Sequence, residues 1–298
     1  MNGTILLPRK FTEDVYITDR YHLLFKAIAH KLNWKIVIGD DIKASDVSGK
    51  IVMTFKSPQH DGPKRGMGVL QLPPDIKVIV YTVDVQCRSK GILFENHNKV
   101  FNRASLIICP YDDMFRFKWP HLVNKYAFFP QFFGPIDRYS SYNKPITERK
   151  PKCLLLGAQT DAYPIRISAA RYPEIFDVLP YGSYLKKKYA EILSSYACVL
   201  ACTSIHGYAL AKHFEIPAAG ALMISDTCAD MRLVGLEPGV HFANVRQCNV
   251  IPRTAYIIEN IQQFAPIAEA GKKAVRLNHS IDNRADEFVA LLKKREII

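Results

Sequence analysis

One stretch, Tyr196 to Asp226 (YACVLACTSIHGYALAKHFEIPAAGALMISD), constrains the fold more than any other. Ala197 to Cys202 is a short, unbroken apolar run, as expected of a strand buried on both faces. Thr203 to Gly207 reads as a loop ending on a small residue and opening a helix from about Tyr208. Ala218-Ala219-Gly220 closes that helix, with Gly220 suited to the left-handed cap position. Ala221 to Ile224 is the next buried strand. Strand, loop, helix, turn and strand in this order belong to a parallel sheet covered by helices. A helix N-terminus at the carboxyl end of a parallel strand presents free N–H groups and the positive end of the helix dipole, so it suits a phosphate. Glu215 follows on that helix, where a carboxylate can accept hydrogen bonds from a ribose. The combination implies a nucleotide ligand.

Alternation of strands and helices continues along the chain. The first half predicts helices at about 19–32, 86–102 and 111–118, and strands at 34–38, 51–55, 77–82, 105–110 and 125–129. The second half predicts strands near 152–157, 175–179, 197–202 and 220–225. Its helices fall near 163–171, 184–195, 206–216 and 253–279, the last broken at Pro266, with a final helix over 282–295. Phe128 to Pro151 is proline-rich, lacks helical period and ends in a polar tail, the composition of a linker. The expected organisation is α/β with two Rossmann-like domains, 1–145 and 146–298, facing each other across a cleft. The final helix, with Phe288, Leu291 and Leu292 on one face, is expected to pack back on the first domain.

Composition narrows the classes of function. No apolar run approaches the roughly 18 residues that span a bilayer, and the N-terminus is charged too early for a signal peptide. Seven scattered cysteines, an odd number inside mostly apolar runs, fit reduced thiols in a cytoplasmic protein. Cys198 and Cys202 lie close together, but no second pair completes a zinc site, so no metal is expected. The net charge of +12 is uneven: residues 1–150 hold 23 Lys and Arg against 14 Asp and Glu, residues 151–298 hold 17 against 14. The basic residues do not cluster with aromatic ones as in nucleic-acid modules, so no nucleic acid is expected. Peripheral contact with a membrane surface remains compatible with that charge.

Several pieces occur in an order that resembles a family. Lys152 to Ala158, then Tyr163-Pro164-Ile165-Arg166, is similar to an opening strand, glycine turn and helix start. Tyr189 to Leu193, Lys212-His213-Phe214-Glu215 with Ala218-Ala219-Gly220-Ala221, and Leu236 to Phe242 follow, and Arg284 lies in the closing helix. Over about residues 150–295 this resembles the donor domain of GT-B glycosyltransferases, the group 1 type with a CgeB-like C-terminal domain. The larger family often carries a second glutamate eight residues before the ribose-binding one. Here that position is Gly207, which leaves the donor sugar and stereochemical course open.

The resemblance implies transfer of a sugar from a UDP- or GDP-linked donor to a hydroxyl of a glycan or other acceptor, with no cofactor and no metal. Glu215 is the candidate ribose contact. Lys212, one turn earlier, either neutralises a phosphate or pairs with Glu215. Arg166 at a helix start is the candidate diphosphate clamp, since an arginine there opposes the helix dipole unless an anion is bound. His206 and Gly207 precede the expected helix, Gly207 allowing close approach of backbone to phosphate. Tyr181, after strand 175–179, is a candidate for stacking on the base. An inverting enzyme also needs a base for the acceptor hydroxyl: Asp84, after strand 77–82, and His60 and Asp61, after strand 51–55, are the candidates. A nucleotide-sugar epimerase or hydrolase on the same scaffold, and a non-catalytic basic binding protein, are the alternatives.

Overall fold

The computed structural model describes residues 2–9, 19–56, 67–85, 91–140, 144–180 and 186–298. It divides into two compact units, Met1–Pro130 with Ile281–Ile298, and Gln131–Ser280. The break lies at 130/131 rather than 145/146, and the chain end belongs to the first unit. Side chains explain the shift. Phe132, Phe133 and Tyr139 are buried, the Phe133 ring meets Tyr139 edge-on, and Arg276 donates to the Tyr139 carbonyl at 2.9 Å. The proline-rich stretch therefore begins as packed structure of the second unit, not as linker.

The first unit contains β1 (Gly3–Leu7), α1 (Asp19–Leu32), β2 (Lys35–Ile38), β3 (Ile51–Lys56), β4 (Lys77–Thr82), α2 (Ile92–Arg103), β5 (Leu106–Cys109), α3 (Asp112–Lys118) and β6 (Tyr126–Phe128). The second contains α4 (Asp137–Ser140), β7 (Lys150–Leu155), α5 (Pro164–Ala169), β8 (Phe176–Val178), α6 (Lys186–Ser195), β9 (Tyr196–Leu200) and α7 (Lys212–Ala218). It continues with β10 (Leu222–Ser225), α8 (Ala229–Leu233), β11 (Ala243–Asn244), α9 (Val250–Glu259) and α10 (Ile261–Asn278). The closing helix α11 (Ile281–Lys294) returns to the first unit. The long helix expected over 253–279 breaks at Asn260, not at Pro266. Both the backbone N–H and the side-chain amide of Asn260 bond to the Tyr256 carbonyl, ending α9 there.

Both sheets are parallel throughout, in the order β2-β1-β3-β4-β5-β6 and β11-β10-β9-β7-β8. Each order reverses once, between β1 and β3 in the first sheet and between β7 and β9 in the second. Ligands of open α/β sheets bind at the carboxyl ends of the strands flanking such a reversal. The first core is aromatic: Phe55 stacks on Tyr81 at 6.0 Å, and Tyr21, Phe25 and Phe129 pack around Tyr81. Phe288 of α11 meets Phe129 edge-on at 5.7 Å, and Phe288 and Leu292 are fully buried. Around the chain end, Lys77 donates to the Glu296 carbonyl and Arg295 to that of Tyr126. The second core is aliphatic and thiol-rich, with Cys153, Leu155, Cys198, Leu200, Leu222 and Ile224 between the sheet and Val250, Ile257 and Phe264.

Candidate functional site

The reversal between β7 and β9 leads at their carboxyl ends into Gly157-Ala158 and Cys202-Thr203. Gly157 adopts φ +99°, a conformation side chains rarely take. A Cβ built there would lie 3.1 Å from an Arg166 Nη1 and 3.4 Å from Lys212 Nζ. The glycine thus makes room for two cations that converge from α5 and α7. Arg166 is buried; its Nη1 donates to the Ala158 carbonyl at 3.2 Å, and its guanidinium covers the Tyr163 ring at 3.8 Å. Its Nε is buried and has no hydrogen-bond partner.

Glu215 sits one turn beyond Lys212 on α7 and is buried. Tyr189, from α6, joins the two: its hydroxyl donates to Glu215 Oε2 at 3.0 Å, and its ring lies 5.8 Å from the Lys212 ammonium. Arg166 and Lys212 thus meet at Gly157, and Glu215, expected one turn from Lys212, joins them through Tyr189. Behind them, His213 is wholly buried. Its Nδ1 lies 3.1 Å from the Leu210 carbonyl and must carry the proton; Nε2, at 3.1 Å, then accepts from the Ser225 hydroxyl. Burial lowers the His213 pKa from the ordinary 6.5 to about 4, against the pull of Asp226, so the imidazole is neutral and anchors α7 to β10. The Cys202 thiol, beside Arg166, is pushed up by burial even though the guanidinium favours the thiolate.

His206 and Gly207 do not open a helix. α7 begins at Lys212, and residues 204–207 form a turn. The Tyr208 N–H bonds to the Thr203 carbonyl at 2.8 Å and closes this stretch as a loop. Gly207, at φ +68°, is exposed with open space around it. Burial of Tyr208 and Ala209 pulls the chain inward before helical pairing starts. The helix N-terminus inferred for the phosphate is therefore absent at this loop. The His206 ring lies 5.6 Å from Tyr208. Asp226 holds the loop, accepting from the Thr203 N–H at 2.9 Å and from its hydroxyl at 2.7 Å.

In the first unit Asp84 lies just past β4, half-buried, with φ +53°. Holding a non-glycine residue in this region costs of order 1 kcal/mol, and such strain is found at functional sites. His60, Asp61 and Tyr181 lie outside the described residues. Among the described residues no group of three or more His, Cys, Asp or Glu side chains is placed to hold a metal ion, and no helix is long and apolar enough to cross a membrane. Gly157, Tyr189 and Asp226 were not among the expected site residues. Gly157 was legible as a glycine directly after a buried strand. Tyr189 stands 26 residues before its partner, a separation that no local pattern marks.

Residues 149–290, just under half of the chain, match the family model described as glycosyl transferase-like. No curated protein matches the chain. Among solved structures, an alpha-glucosyltransferase in complex with UDP-glucose and DNA superposes with a TM-score of 0.59 at 10% identity, covering 98% of this chain and 100% of that one. Anabaena HepE in complex with UDP and glucose gives 0.61 at 10% identity, covering 90% and 89%. A glycosyltransferase from Rickettsia africae gives 0.59 at 10% identity, covering 99% and 98%. The chain has the two-domain GT-B fold of these proteins.

Proposed function

We propose that this GT-B glycosyltransferase moves a sugar from a UDP- or GDP-linked donor to a hydroxyl of a glycan or glycoconjugate. The observation that carries this reading is the convergence of Arg166 and Lys212 at Gly157, with Glu215 oriented by Tyr189 beside them. In transfer, the bond between the anomeric carbon and a phosphate oxygen breaks, and one between that carbon and the acceptor oxygen forms. Negative charge grows on the departing diphosphate. Two cations held in place before reaction, one of them buried, stabilise that charge without reorganising, and in this reading no bound metal is needed. Glu215 accepts from the ribose hydroxyls while Tyr189 fixes its rotamer. For an inverting course Asp84 is the described candidate to take the acceptor proton.

Proteins of the same fold solved with UDP-glucose and with UDP favour uridine as the donor base. The experiment is a thermal-shift panel of UDP, GDP, ADP, CMP and their sugar conjugates on the wild type, Arg166→Ala and Glu215→Ala. A nucleotide at about 100 times its Kd adds roughly 2.7 kcal/mol of stability. A shift with one nucleotide, lost in both variants, is the expected result; no shift with any nucleotide sinks the reading. Transfer assays then test oligosaccharide acceptors beside duplex DNA, because one relative was solved with DNA.

A further inference from the structure

The amino ends of the second sheet, opposite the strand ends that lead to Gly157, carry three cations of their own. Arg149 directly precedes β7, and Lys272 and Arg276 lie one turn apart on α10. All three approach the turn that joins α7 to β10. A Cβ built on Gly220 in that turn would lie 3.1 Å from Arg149 Nη2 and 3.3 Å from Lys272 Cδ. Arg149 is only 8% exposed. Its Nε donates to the Lys144 carbonyl at 2.9 Å and its Nη1 to that of Ala219 at 3.1 Å. Arg276 Nε donates to the neighbouring Ala218 carbonyl at 2.9 Å, and its Nη2 to that of Tyr139.

Capping explains part of this arrangement. Cations suit the last carbonyls of a helix and the negative end of its dipole, and Arg149 and Arg276 each give α7 one edge. Capping does not explain two guanidiniums on adjacent carbonyls with no acid between them. Among the described residues no carboxylate pairs with either. Glu269, whose charge reaches both, is exposed and held by Lys272 at 3.3 Å. Burial, and then the charge of Arg276, lower the Arg149 pKa to about 10. A buried cation without a counter-ion is costly, and a like charge beside it adds to that cost. Nη2 of Arg149 and Nη1 of Arg276 make no hydrogen bond to the described residues.

We infer that Arg149, Arg276 and Lys272 form a phosphate-binding site at the amino ends of the second sheet, separate from the donor site. Guanidinium N–H groups match the oxygens of a phosphate, and Lys272 adds a point charge. Three cations against Glu269 leave two positive charges. That balances a phosphate monoester, which carries about −1.5 to −2 at neutral pH. Arg276 and Lys272 are half-buried, so the ligand reaches the site from the surface. The ligand is not the donor's diphosphate, which the reading above puts at the opposite ends of the strands. A soluble phosphate monoester and the phosphate of a lipid headgroup offer the same chemistry.

Two measurements on the full chain test this: calorimetric titration with inorganic phosphate at fixed ionic strength, and sedimentation with phosphatidylcholine vesicles with and without phosphatidic acid. Arg149 holds two carbonyls, and its removal threatens folding. The variants are therefore Arg276→Gln and Lys272→Gln, with Lys273→Gln, exposed on the same helix, as the control. A hydrogen bond to a charged group supports about 10- to 100-fold in affinity. Arg276→Gln is expected to weaken phosphate by that factor, Lys272→Gln by several-fold, and Lys273→Gln not at all. UDP affinity is expected to stay unchanged in all three. Binding to phosphatidic acid vesicles with the same pattern of losses identifies a lipid headgroup; phosphate binding without vesicle binding identifies a soluble ligand. Failure of the wild type to bind either phosphate or vesicles would overturn the inference. Equal weakening by Lys272→Gln and Lys273→Gln would overturn it as well, since it would mean diffuse surface charge. So would phosphate binding that only Arg166→Ala removes, which would put the phosphate at the donor site. Absence of UDP binding with phosphate binding intact would sink the nucleotide reading and leave this inference standing.

Discussion

The two sheets follow one construction rule and are furnished differently. In the first unit, the strands at the reversal, β1 and β3, run into residues 10–18 and 57–66, outside the described structure, and the described candidate at the strand ends is Asp84, held by a strained backbone. In the second, the strands at the reversal run into Gly157 and Thr203, and the polar side chains around them come from helices: Arg166 from α5, Tyr189 from α6, Lys212 and Glu215 from α7. The cores differ in the same sense. Rings packed edge to face hold the first; aliphatic side chains, thiols and a neutral histidine hold the second. A site built on packed helices is oriented before its ligand arrives. Its residues are therefore more sensitive to backbone changes than residues on a loop.

The largest expected effect tests the first core. Phe288→Ala removes a fully buried ring that ties α11 to Phe129 and should cost about 3–5 kcal/mol. Urea unfolding monitored separately in each unit should show the loss in Met1–Pro130 with Ile281–Ile298. An equal loss in Gln131–Ser280 would mean that the two cores are not energetically distinct.

The next effect belongs to the second unit. Folded His213 titrates near 4 rather than 6.5 because it is buried. Between those values the unfolded chain binds more protons, so stability is fully present above about pH 6.5 and is lost as pH falls toward 4. The shift corresponds to about 3 kcal/mol. His213→Gln should flatten this part of the pH–stability curve; an unchanged curve would show that His213 does not control it.

The smallest effect probes the glycine between the cations. Gly157→Ala forces a side chain into φ +99° and into contact with Arg166 and Lys212, which should cost about 1–2 kcal/mol. Nucleotide affinity should fall with it, because both cations must move. Asp84→Gly, which relieves strain of the same kind in the first unit, should leave nucleotide affinity unchanged. A similar loss of affinity in both variants would erase the contrast between the two strand-end regions.

Most of the architecture was legible. Apolar runs such as Cys198 to Leu200 and Leu222 to Ile224 announced buried parallel strands, and Gly220 closes its helix at φ +69° as expected. The resemblance carried by ordered short motifs over 150–295 is met by the family match over 149–290 and by the GT-B fold. Helix ends were less legible. Ala209 to Ala211 favour a helix, yet burial of Tyr208 and the Thr203–Tyr208 bond keep the chain in a loop until Lys212, as tertiary packing often overrides propensity. The linker reading of 128–151 missed Phe132 and Phe133 because apolar residues spaced without period give no sign of what they pack against.

Arg166, Lys212 and Glu215 were recognisable one by one from local context: a helix start, a helix face, an acid in an apolar setting. That they share one place with Tyr189 depends on which strand ends are neighbours. Side-chain periodicity and turn chemistry act over a few residues, so they are written locally in the chain. Convergence of residues 157, 166, 189 and 212 comes from sheet order and from the packing of three helices against it, and no single stretch of sequence encodes that.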